Sequence, residues 1–182
     1  MPTVTRLWTG KGDDGTSGLL YGGREPKSSP RFDAIGAVDE AQAAIGVARA
    51  ELAGWPELDA VLVAAERDLW VLMGELATDD ANRAKLEPGT SLVSPEMVTG
   101  VERAIEDAAA GFELPREFVV PGQDRASALL DLARTVVRRA ERAATTVAAD
   151  GSHVIPYLNR LSSLLWTLAR KVEGEPLRSR EA

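Results

Sequence analysis

Three arginines at helical spacing are the first feature of this sequence that could do chemistry. Arg134, Arg138 and Arg142 recur at every fourth position, so they would lie along one side of a helix. The outer two Cα atoms would be about 12 Å apart, the order of length of an extended triphosphate. A guanidinium can donate two parallel hydrogen bonds to a phosphate. This arginine strip indicates either a phosphate-binding surface or a solvated basic face paired with acids.

A glycine-dense segment near the N-terminus is the second such feature. Six of the 16 glycines fall between Gly10 and Gly23, which excludes a stable helix because each interior glycine costs about 1 kcal/mol relative to alanine. Lys11, Thr16 and Ser17 lie among these glycines. Backbone N–H groups, hydroxyls and a lysine can together bind a polyphosphate, although a flexible N-terminal arm is the alternative. The Walker A pattern GxxxxGK[ST] is absent.

The remaining polar candidates are weaker. Asn159 could bind an adenine edge or a phosphate, or it could be an ordinary polar helix position. Asp39 and Glu40 are adjacent, and adjacent helical side chains point in different directions. We therefore expect one of the two to pair with an arginine rather than both to form a catalytic dyad. The single histidine, His153, is expected to be structural or exposed.

Composition limits the function classes. The chain has 182 residues, of which 45% are hydrophobic and 27% charged, which predicts a single globular domain. A net charge of −7 argues against a nucleic-acid partner. The absence of cysteine excludes disulfides, cysteine-ligated metals and thiol catalysis, and a single histidine excludes a multi-histidine metal centre. No apolar run approaches the roughly 20 residues that span a bilayer, and no signal peptide is recognisable. We expect a cytoplasmic protein without a membrane partner.

Five amphipathic helices are predicted to position these groups, giving an all-α bundle. The apolar spacing, caps and prolines predict helices beginning near Pro30, Pro56, Pro95, Asp124 and Pro156. The last four are expected to end near Leu76, Gly111, Asp150 and Gly174. Residues 1–28 form the predicted loop, 29–174 the bundle and 175–182 a frayed tail.

Two finer predictions concern the core and the connections. The fourth helix is expected to bury Leu129, Leu132, Val136, Ala140 and Val147. Trp55 and Trp70 occupy positions typical of a core, and the polar segment Thr78–Thr90 indicates a loop.

The order of these motifs resembles the PduO-type ATP:cob(I)alamin adenosyltransferases over about residues 6–173. The likeness is carried by strings that follow one another in the family's order: Trp8 to Thr16, Pro26-Lys27, Val38-Asp39-Glu40, Ala44-Ile45-Gly46, Phe118 to Gly122, Ser127-Ala128-Leu129, Ala133-Arg134-Thr135, RRAER at residues 138–142 and NRLS at residues 159–162. Four positions depart from the usual family pattern: Gly10, Lys11, Gln123 and Ser163.

The resemblance implies a homotrimer of five-helix bundles that binds ATP between subunits. It implies ATP contacts for a set of loop and helix residues: Thr9, Gly10, Lys11, Gly12, Gly15, Thr16, Ser17, Lys27, Arg134, Arg138, Arg139, Glu141, Arg142 and Asn159. It implies catalytic roles for Arg134, Arg138, Asp39 and Phe118. Asp39 would pair with Arg138 across the subunit boundary, and Phe118 would occupy the lower face of the corrin.

The chemistry that the family implies needs no protein nucleophile. Cob(I)alamin attacks the ribose 5′ carbon of ATP and triphosphate leaves, so the protein aligns the reactants and stabilises the leaving group with cations and Mg²⁺. A corrinoid reductase and a mutase that receives the product would be partners. Two other readings of the residues stay open: a module that binds the nucleotide without transfer, and a helical scaffold with a basic face.

Overall fold

The computed structural model describes residues 8–113 and 115–179. This part of the chain is mostly helical, as predicted, and contains five α-helices, one 3-10 helix and a two-stranded sheet. The elements are β1 (Thr16–Gly18), β2 (Arg24–Pro26), α1 (Pro30–Arg49), α2 (Pro56–Leu76), the 3-10 helix (Asp80–Lys85), α3 (Pro95–Ala109), α4 (Arg125–Ala144) and α5 (Val154–Glu173). Residues 1–7 of the predicted loop and 180–182 of the predicted tail lie outside the described residues.

The N-terminal segment that was predicted to be a loop contains a small antiparallel hairpin. Ser17 of β1 pairs with Glu25 of β2. The turn between the strands has left-handed backbone at Tyr21, Gly22 and Gly23, with φ between 64° and 103°. Strands of three residues are too short to carry an alternating hydrophobic pattern, which is why the sequence did not predict them.

The hairpin is attached to the end of the bundle where α2 finishes. The Leu20 backbone N–H donates to the Ala77 carbonyl at 2.8 Å. Arg31, in the first turn of α1, donates to the carbonyls of Leu76 and Thr78 at 2.7 and 3.0 Å. The Leu76 carbonyl belongs to the last turn of α2 and the Thr78 carbonyl lies just beyond it, so neither has a partner within the helix. The guanidinium therefore caps α2 and joins it to α1 next to the hairpin.

The helix ends follow the predicted caps, except around the connection between α4 and α5. Asp124 caps α4 by accepting from the Ser127 backbone N–H at 2.9 Å. The predicted end at Asp150 is wrong, because α4 ends at Ala144. The hydroxyls of Thr145 and Thr146 bond carbonyls of the last turn, and three β-branched residues in a row (145–147) disfavour further helix.

The core centres on α4, which packs between α1 and α5. Its buried face consists mainly of small residues that allow both neighbours to approach closely: Ala126, Leu130, Ala133, Val137, Ala140 and Ala144. The predicted stripe is wrong at Leu132, whose exposure is 55%, because alanines rather than the larger residues face inward. Trp70 is likewise 65% exposed rather than buried. Trp55 packs half-buried against the core.

Two ion pairs fix α1 and α4 as antiparallel neighbours. Arg139 pairs with Glu40, and Arg125 at the start of α4 pairs with Glu51, just beyond α1, at 3.2 Å. The C-terminal end of α4 therefore lies at the end of the bundle where α1 begins and the hairpin is attached. Among the helices described, none is long and apolar enough to cross a membrane.

Candidate functional site

A groove between α4 and α5 contains the first two arginines of the strip. It encloses about 420 Å³ and is lined by residues of both helices: Arg134, Arg138, Ser162, Ser163, Trp166 and Thr167. We call it the α4–α5 groove. The two guanidinium groups offer hydrogen-bond donors and positive charge together, a combination that suits a phosphate chain, whereas the three hydroxyls already donate to backbone carbonyls of α5.

The two arginines of the groove are held differently. The Arg134 Nε donates to the buried carboxylate of Asp131 at 3.0 Å, and its two terminal nitrogens have no partner among the described residues. The exposed Arg138 guanidinium makes no hydrogen bond or ion pair in this same part of the chain. Both side chains thus have donors free for a ligand.

The other two arginines of α4 do not line the groove. Arg142 is exposed and donates to the Arg138 carbonyl at 3.0 Å, so it continues the strip beyond the groove toward the end of the helix. Arg139 points toward α1 and pairs with Glu40. The expectation that either Asp39 or Glu40 pairs with an arginine is confirmed at Glu40. Asp39 is exposed and has no ion-pair partner in the described residues.

Asn159 of α5 is bound to neighbouring polar side chains. Its amide nitrogen donates to Glu141 of α4 at 3.0 Å, and its amide oxygen accepts from Arg160 at 2.9 Å. Arg160 in turn donates to Glu102 of α3 at 3.0 Å. These contacts fix the amide plane between α4 and α5, with one amide N–H left for a ligand.

The glycine-dense loop is folded around Arg24, a residue that the sequence interpretation did not single out. The Arg24 guanidinium donates to the Lys11 carbonyl at 2.5 Å and to the Thr16 hydroxyl at 2.9 Å. The Thr16 hydroxyl and backbone N–H both donate to Asp14, at 2.8 and 2.9 Å. These bonds, together with the nearby Arg24, lower the pKa of the Asp14 carboxyl. Hydrogen bonds made by the charged side chains of Arg24 and Asp14 therefore hold the loop in its conformation.

Lys27, the residue after β2, contacts the same loop through its backbone and its side chain. Its backbone N–H donates to the carbonyl of Gly15 at 2.9 Å, and its ammonium lies beside Gly12. Gly10 and Gly15 have φ values of 72° and 79°, which side-chain-bearing residues rarely adopt. The predicted cluster of loop residues thus forms one compact turn, in which the Lys11 backbone N–H also contacts the Thr9 hydroxyl at 3.4 Å.

The loop and the arginine strip are not joined within one chain. Among the described residues, no hydrogen bond or ion pair links residues 9–27 to α4. Both nevertheless lie toward the same end of the bundle, because α4 finishes where α1 begins. The loop and the arginine strip are therefore two separate candidate sites within the described part of one chain.

Phe118 is the most exposed large hydrophobic side chain of the described residues, at 87%. Its backbone is nevertheless fixed: the Phe118 carbonyl accepts from the Ser179 N–H and the Val120 N–H donates to the Leu177 carbonyl, both at 2.8 Å. Part of the segment predicted as a frayed tail is therefore hydrogen bonded. A rigid backbone that presents an exposed phenyl ring suits contact with a flat apolar ligand.

His153 and the remaining acidic side chains do not form a metal site. His153 precedes α5 at its N-terminal cap position, but its side chain makes no capping hydrogen bond, so the expectation of a structural or exposed histidine stays a prediction. In residues 8–113 and 115–179, no group of three or more histidine, cysteine, aspartate or glutamate side chains could hold a metal ion.

A separate cavity of about 420 Å³ lies between α2 and α3. Its floor includes Tyr157, whose hydroxyl donates to Asp68 at 2.9 Å. Burial raises the pKa of the Asp68 carboxyl and raises that of the Tyr157 hydroxyl well above its usual value. The walls are mostly apolar, so this cavity offers little for a polyphosphate to bind.

Sequence reasoning missed three further residues around the groove. Trp166 and Thr167 follow Ser162 and Ser163 at a spacing of four, so a helical projection of α5 would have placed them on the same face. Asp131 lies three residues before Arg134, a helical spacing that could have indicated this ion pair, whereas its contact with Arg170 joins two helices and had no local signal.

Comparisons with known proteins agree on one family. The cobalamin adenosyltransferase family matches residues 7–172. A corrinoid adenosyltransferase of Mycobacterium tuberculosis is 40% identical over 174 residues, covering 92% of this chain and 88% of the relative. One from Bacillus subtilis is 35% identical over 175 residues, covering 93% and 87%.

The fold is also similar to that of solved structures. A variant of a PduO-type ATP:corrinoid adenosyltransferase from Lactobacillus reuteri, in complex with cobalamin and ATP, aligns with a TM-score of 0.85. The alignment covers 97% of this chain and 100% of that chain at 22% sequence identity.

Proposed function

The chain belongs to the cobalamin adenosyltransferase family, and we propose that its α4–α5 groove and N-terminal loop bind the ATP that it uses. The protein transfers the 5′-deoxyadenosyl group of ATP to cob(I)alamin, giving adenosylcobalamin and triphosphate. The observation that carries the assignment of the groove is the pair Arg134 and Arg138, whose terminal nitrogens have no partner among the described residues.

The reaction asks the protein for charge and alignment rather than for a nucleophile. Cobalt(I) supplies the electron pair that forms the bond to the 5′ carbon, and the carbon–oxygen bond to the phosphate breaks with its electrons on triphosphate. Negative charge therefore develops on the leaving oxygen. Arg134, Arg138 and Arg142 would stabilise that charge in place, which requires no reorganisation at the moment of reaction. Glu141 would hold Asn159 toward the nucleotide.

The loop would close over the nucleotide from the same end of the bundle. Its proposed contacts are Thr9, Gly10, Lys11, Gly12, Gly15, Thr16, Ser17 and Lys27. The compact turn around Arg24 supports this role, because it fixes the backbone N–H groups and brings the Lys27 ammonium beside Gly12. The three acidic side chains of the segment balance Arg24 and the two lysines in number, so the local contribution to anion binding would come from the backbone N–H groups and the Lys27 ammonium.

The site would be completed by a second copy of the chain. No hydrogen bond or ion pair joins the loop, residues 9–27, to α4 within the part of one chain that is described, so contact of both with one ATP is explained most simply by two subunits. Asp39 and Arg138 are exposed and unpaired within that same part, and we propose that they pair across the boundary. The assembly would be a homotrimer with three such boundaries, in which Arg139 stays with Glu40.

Phe118 would contact the corrin. An exposed ring on a fixed backbone can lie against the lower face of the macrocycle and exclude the axial base or water. Removal of the lower ligand makes cobalt(II) easier to reduce. A separate reductase would supply the electron to cobalt(II), and a mutase would receive the adenosylcobalamin. We expect these steps to take place in the cytoplasm, where ATP and reducing cofactors are supplied.

Mg²⁺ would enter with the nucleotide. The described residues contain no cluster of three metal-ligating side chains, so the chain does not offer a cage of its own. Mg²⁺ commonly keeps waters and is bound largely by phosphate oxygens, which suits a groove whose lining carries no carboxylate. When bound, Mg²⁺ would neutralise part of the triphosphate charge.

The test is a single-turnover reaction of the protein with Mg·ATP and chemically reduced cobalamin. We expect light-sensitive adenosylcobalamin and an equal amount of triphosphate. Release of phosphate or pyrophosphate would contradict the reaction. Binding of ATP without product under reducing conditions would instead identify a nucleotide-binding module without transfer activity. The absence of binding at millimolar Mg·ATP, with the protein folded, would leave only a scaffold with a basic face.

A further inference from the structure

A buried carboxylate lies between two arginines directly beneath the α4–α5 groove. Asp131, on α4, has a side chain that is 5% exposed. One of its oxygens accepts from Arg134 Nε at 3.0 Å, and the other accepts from Arg170 Nη2 at 2.6 Å. The carboxylate thus uses one oxygen to hold an arginine of the groove and the other to hold an arginine of the core.

Arg170 belongs to α5 and is itself enclosed. Its side chain is 1% exposed, its Nε lies 2.8 Å from the fully buried carboxylate of Glu173, and its guanidinium carbon lies 5.9 Å from the Trp166 ring. Trp166 also lines the groove. Trp166 therefore belongs both to the surroundings of the buried Arg170 and to the wall of the groove.

The consequence is a defined orientation for Arg134. Its Nε is occupied by Asp131, while both terminal nitrogens remain without a partner among the described residues. Those terminal nitrogens form the edge of the guanidinium that makes bidentate bonds to phosphate. Without Asp131 the long side chain could rotate freely, and ordering it on binding would cost conformational entropy.

We propose that Asp131 and Arg170 are positioning residues, which hold the Arg134 guanidinium with its two terminal nitrogens toward the triphosphate. Asp131 contacts Arg134 directly, and Arg170 acts through Asp131 by fixing the carboxylate and balancing its charge. The inference rests on the proposed role of Arg134 in binding ATP, and it goes beyond that role by naming the residues that pre-organise it.

Stability alone does not account for this arrangement. Burying ionised side chains is expensive, and well-packed apolar residues of similar size are often as stable or more so. The cluster reaches the groove through Arg134, which contacts Asp131 and lines the groove. A buried ion pair that continues into a binding groove is consistent with pre-organisation for a ligand.

The experiment compares the KM for Mg·ATP in Asp131→Asn, Arg134→Ala and the double variant, at saturating cob(I)alamin. Asparagine keeps the size but loses the charge, so we expect the KM to rise about tenfold, the loss of one charge-assisted hydrogen bond. In the Arg134→Ala background the same substitution should have little further effect, because the residue that Asp131 orients is gone. Equal effects in both backgrounds would overturn the proposal.

The matched control is Glu75→Gln. Glu75 is equally buried and accepts from Arg83, Ser152 and the Val93 N–H at 2.6–2.8 Å, but it does not contact the groove. It should lower the melting temperature without changing the KM for ATP. A comparable rise in KM in this control would show that loss of stability alone explains the effect.

Two results separate this inference from the proposed function. If Arg134→Ala leaves the KM for ATP unchanged, the assignment of the groove fails and the positioning role fails with it. If Arg134→Ala raises the KM and Asp131→Asn does not, only the positioning role fails. If Asp131→Asn does not fold, Arg170→Lys carries the test: it keeps the buried charge without the planar fork, and an unchanged KM would overturn the proposal.

Discussion

The ammonium nitrogen of Lys27 lies beside Gly12, 2.9 Å from the position that a Cβ at Gly12 would occupy. The next nearest atom to that position is Cε of the same lysine, at 3.1 Å. The absence of a side chain at Gly12 therefore makes room for the charged end of Lys27 inside the turn.

Gly12→Ala should displace this ammonium without unfolding the loop. The Gly12 backbone is not left-handed, and the crowded atoms are the far end of a flexible side chain that can move away. We expect the dissociation constant for Mg·ATP, measured by calorimetry, to rise about threefold to tenfold. The control is Gly18→Ala, where a Cβ meets nothing within 4 Å. Equal affinities for the two variants would remove Lys27 from the site.

Arg138→Ala should separate catalysis from stability. The side chain is exposed and unpaired within the described residues, so the free energy of unfolding should change by less than about 0.5 kcal/mol. Loss of one donor to the developing charge should lower kcat by about 10²-fold or more. Arg125→Ala is the control, since this arginine lies on the same helix, is 80% exposed and pairs only with Glu51. A similar kcat in the two variants would contradict the proposal.

Phe118→Ala should affect the corrinoid step alone. The ring is exposed, so its removal costs little folding stability and should leave the KM for ATP unchanged. We expect kcat for adenosylcobalamin formation to fall at least about tenfold, because water could then reach the lower face of the cobalt. The absorption spectrum of bound cob(II)alamin in the presence of ATP gives an independent readout. A spectrum and a kcat like those of the wild type would place the ring away from the corrin.

The pH dependence of stability should differ between two glutamates. Burial raises the pKa of Glu173, so the folded protein binds this proton more tightly than the unfolded chain does, and stability is lost as pH rises from about 4.5 through the folded pKa. Bonds from Ser94 lower the pKa of Glu96, so its contribution is present at higher pH and lost on acidification. Relative to wild type, Glu173→Gln should gain stability as the pH rises above about 4.5, whereas Glu96→Gln should lose stability as the pH rises toward about 4.5 from below.

Urea unfolding at several pH values measures both differences. Subtracting the wild-type curve removes the titration of the other carboxylates, which is common to all three proteins. The same slope for both variants would contradict the opposite environments assigned to the two side chains.

The helices could be predicted from the sequence because their ends carry local signals. The predicted range of α2 agrees with the observed Pro56–Leu76, and Ser29 before Pro30 marked the start of α1. The end of α4 was predicted wrongly and the hairpin was missed. Both features depend on short-range hydrogen bonds of side chains and turns, which the spacing of apolar residues does not reveal. The 3-10 helix Asp80–Lys85 lies where a loop was predicted, for the same reason.

Only the part of the candidate site that lies on a single helix could be predicted from the sequence. The spacing of Arg134 and Arg138 gave their common face, and the Glu40 ion pair followed from charge. Asp131 and Arg170 are 39 residues apart, so their contact depends on how α4 and α5 pack and could not be read locally. Arg24 likewise acts through bonds to a loop conformation that the sequence does not reveal.

The strand-like pairing of residues 118–120 with 177–179 has a consequence for how this chain is compared with its relatives. The family match ends at residue 172, so residues 177–179, which pair with the segment that carries Phe118, lie beyond the matched range. A shortened protein ending at residue 173 would retain every matched position and yet leave the peptide that carries Phe118 without its backbone partner. The family match and the backbone support of Phe118, the proposed corrin contact, therefore depend on different parts of this polypeptide.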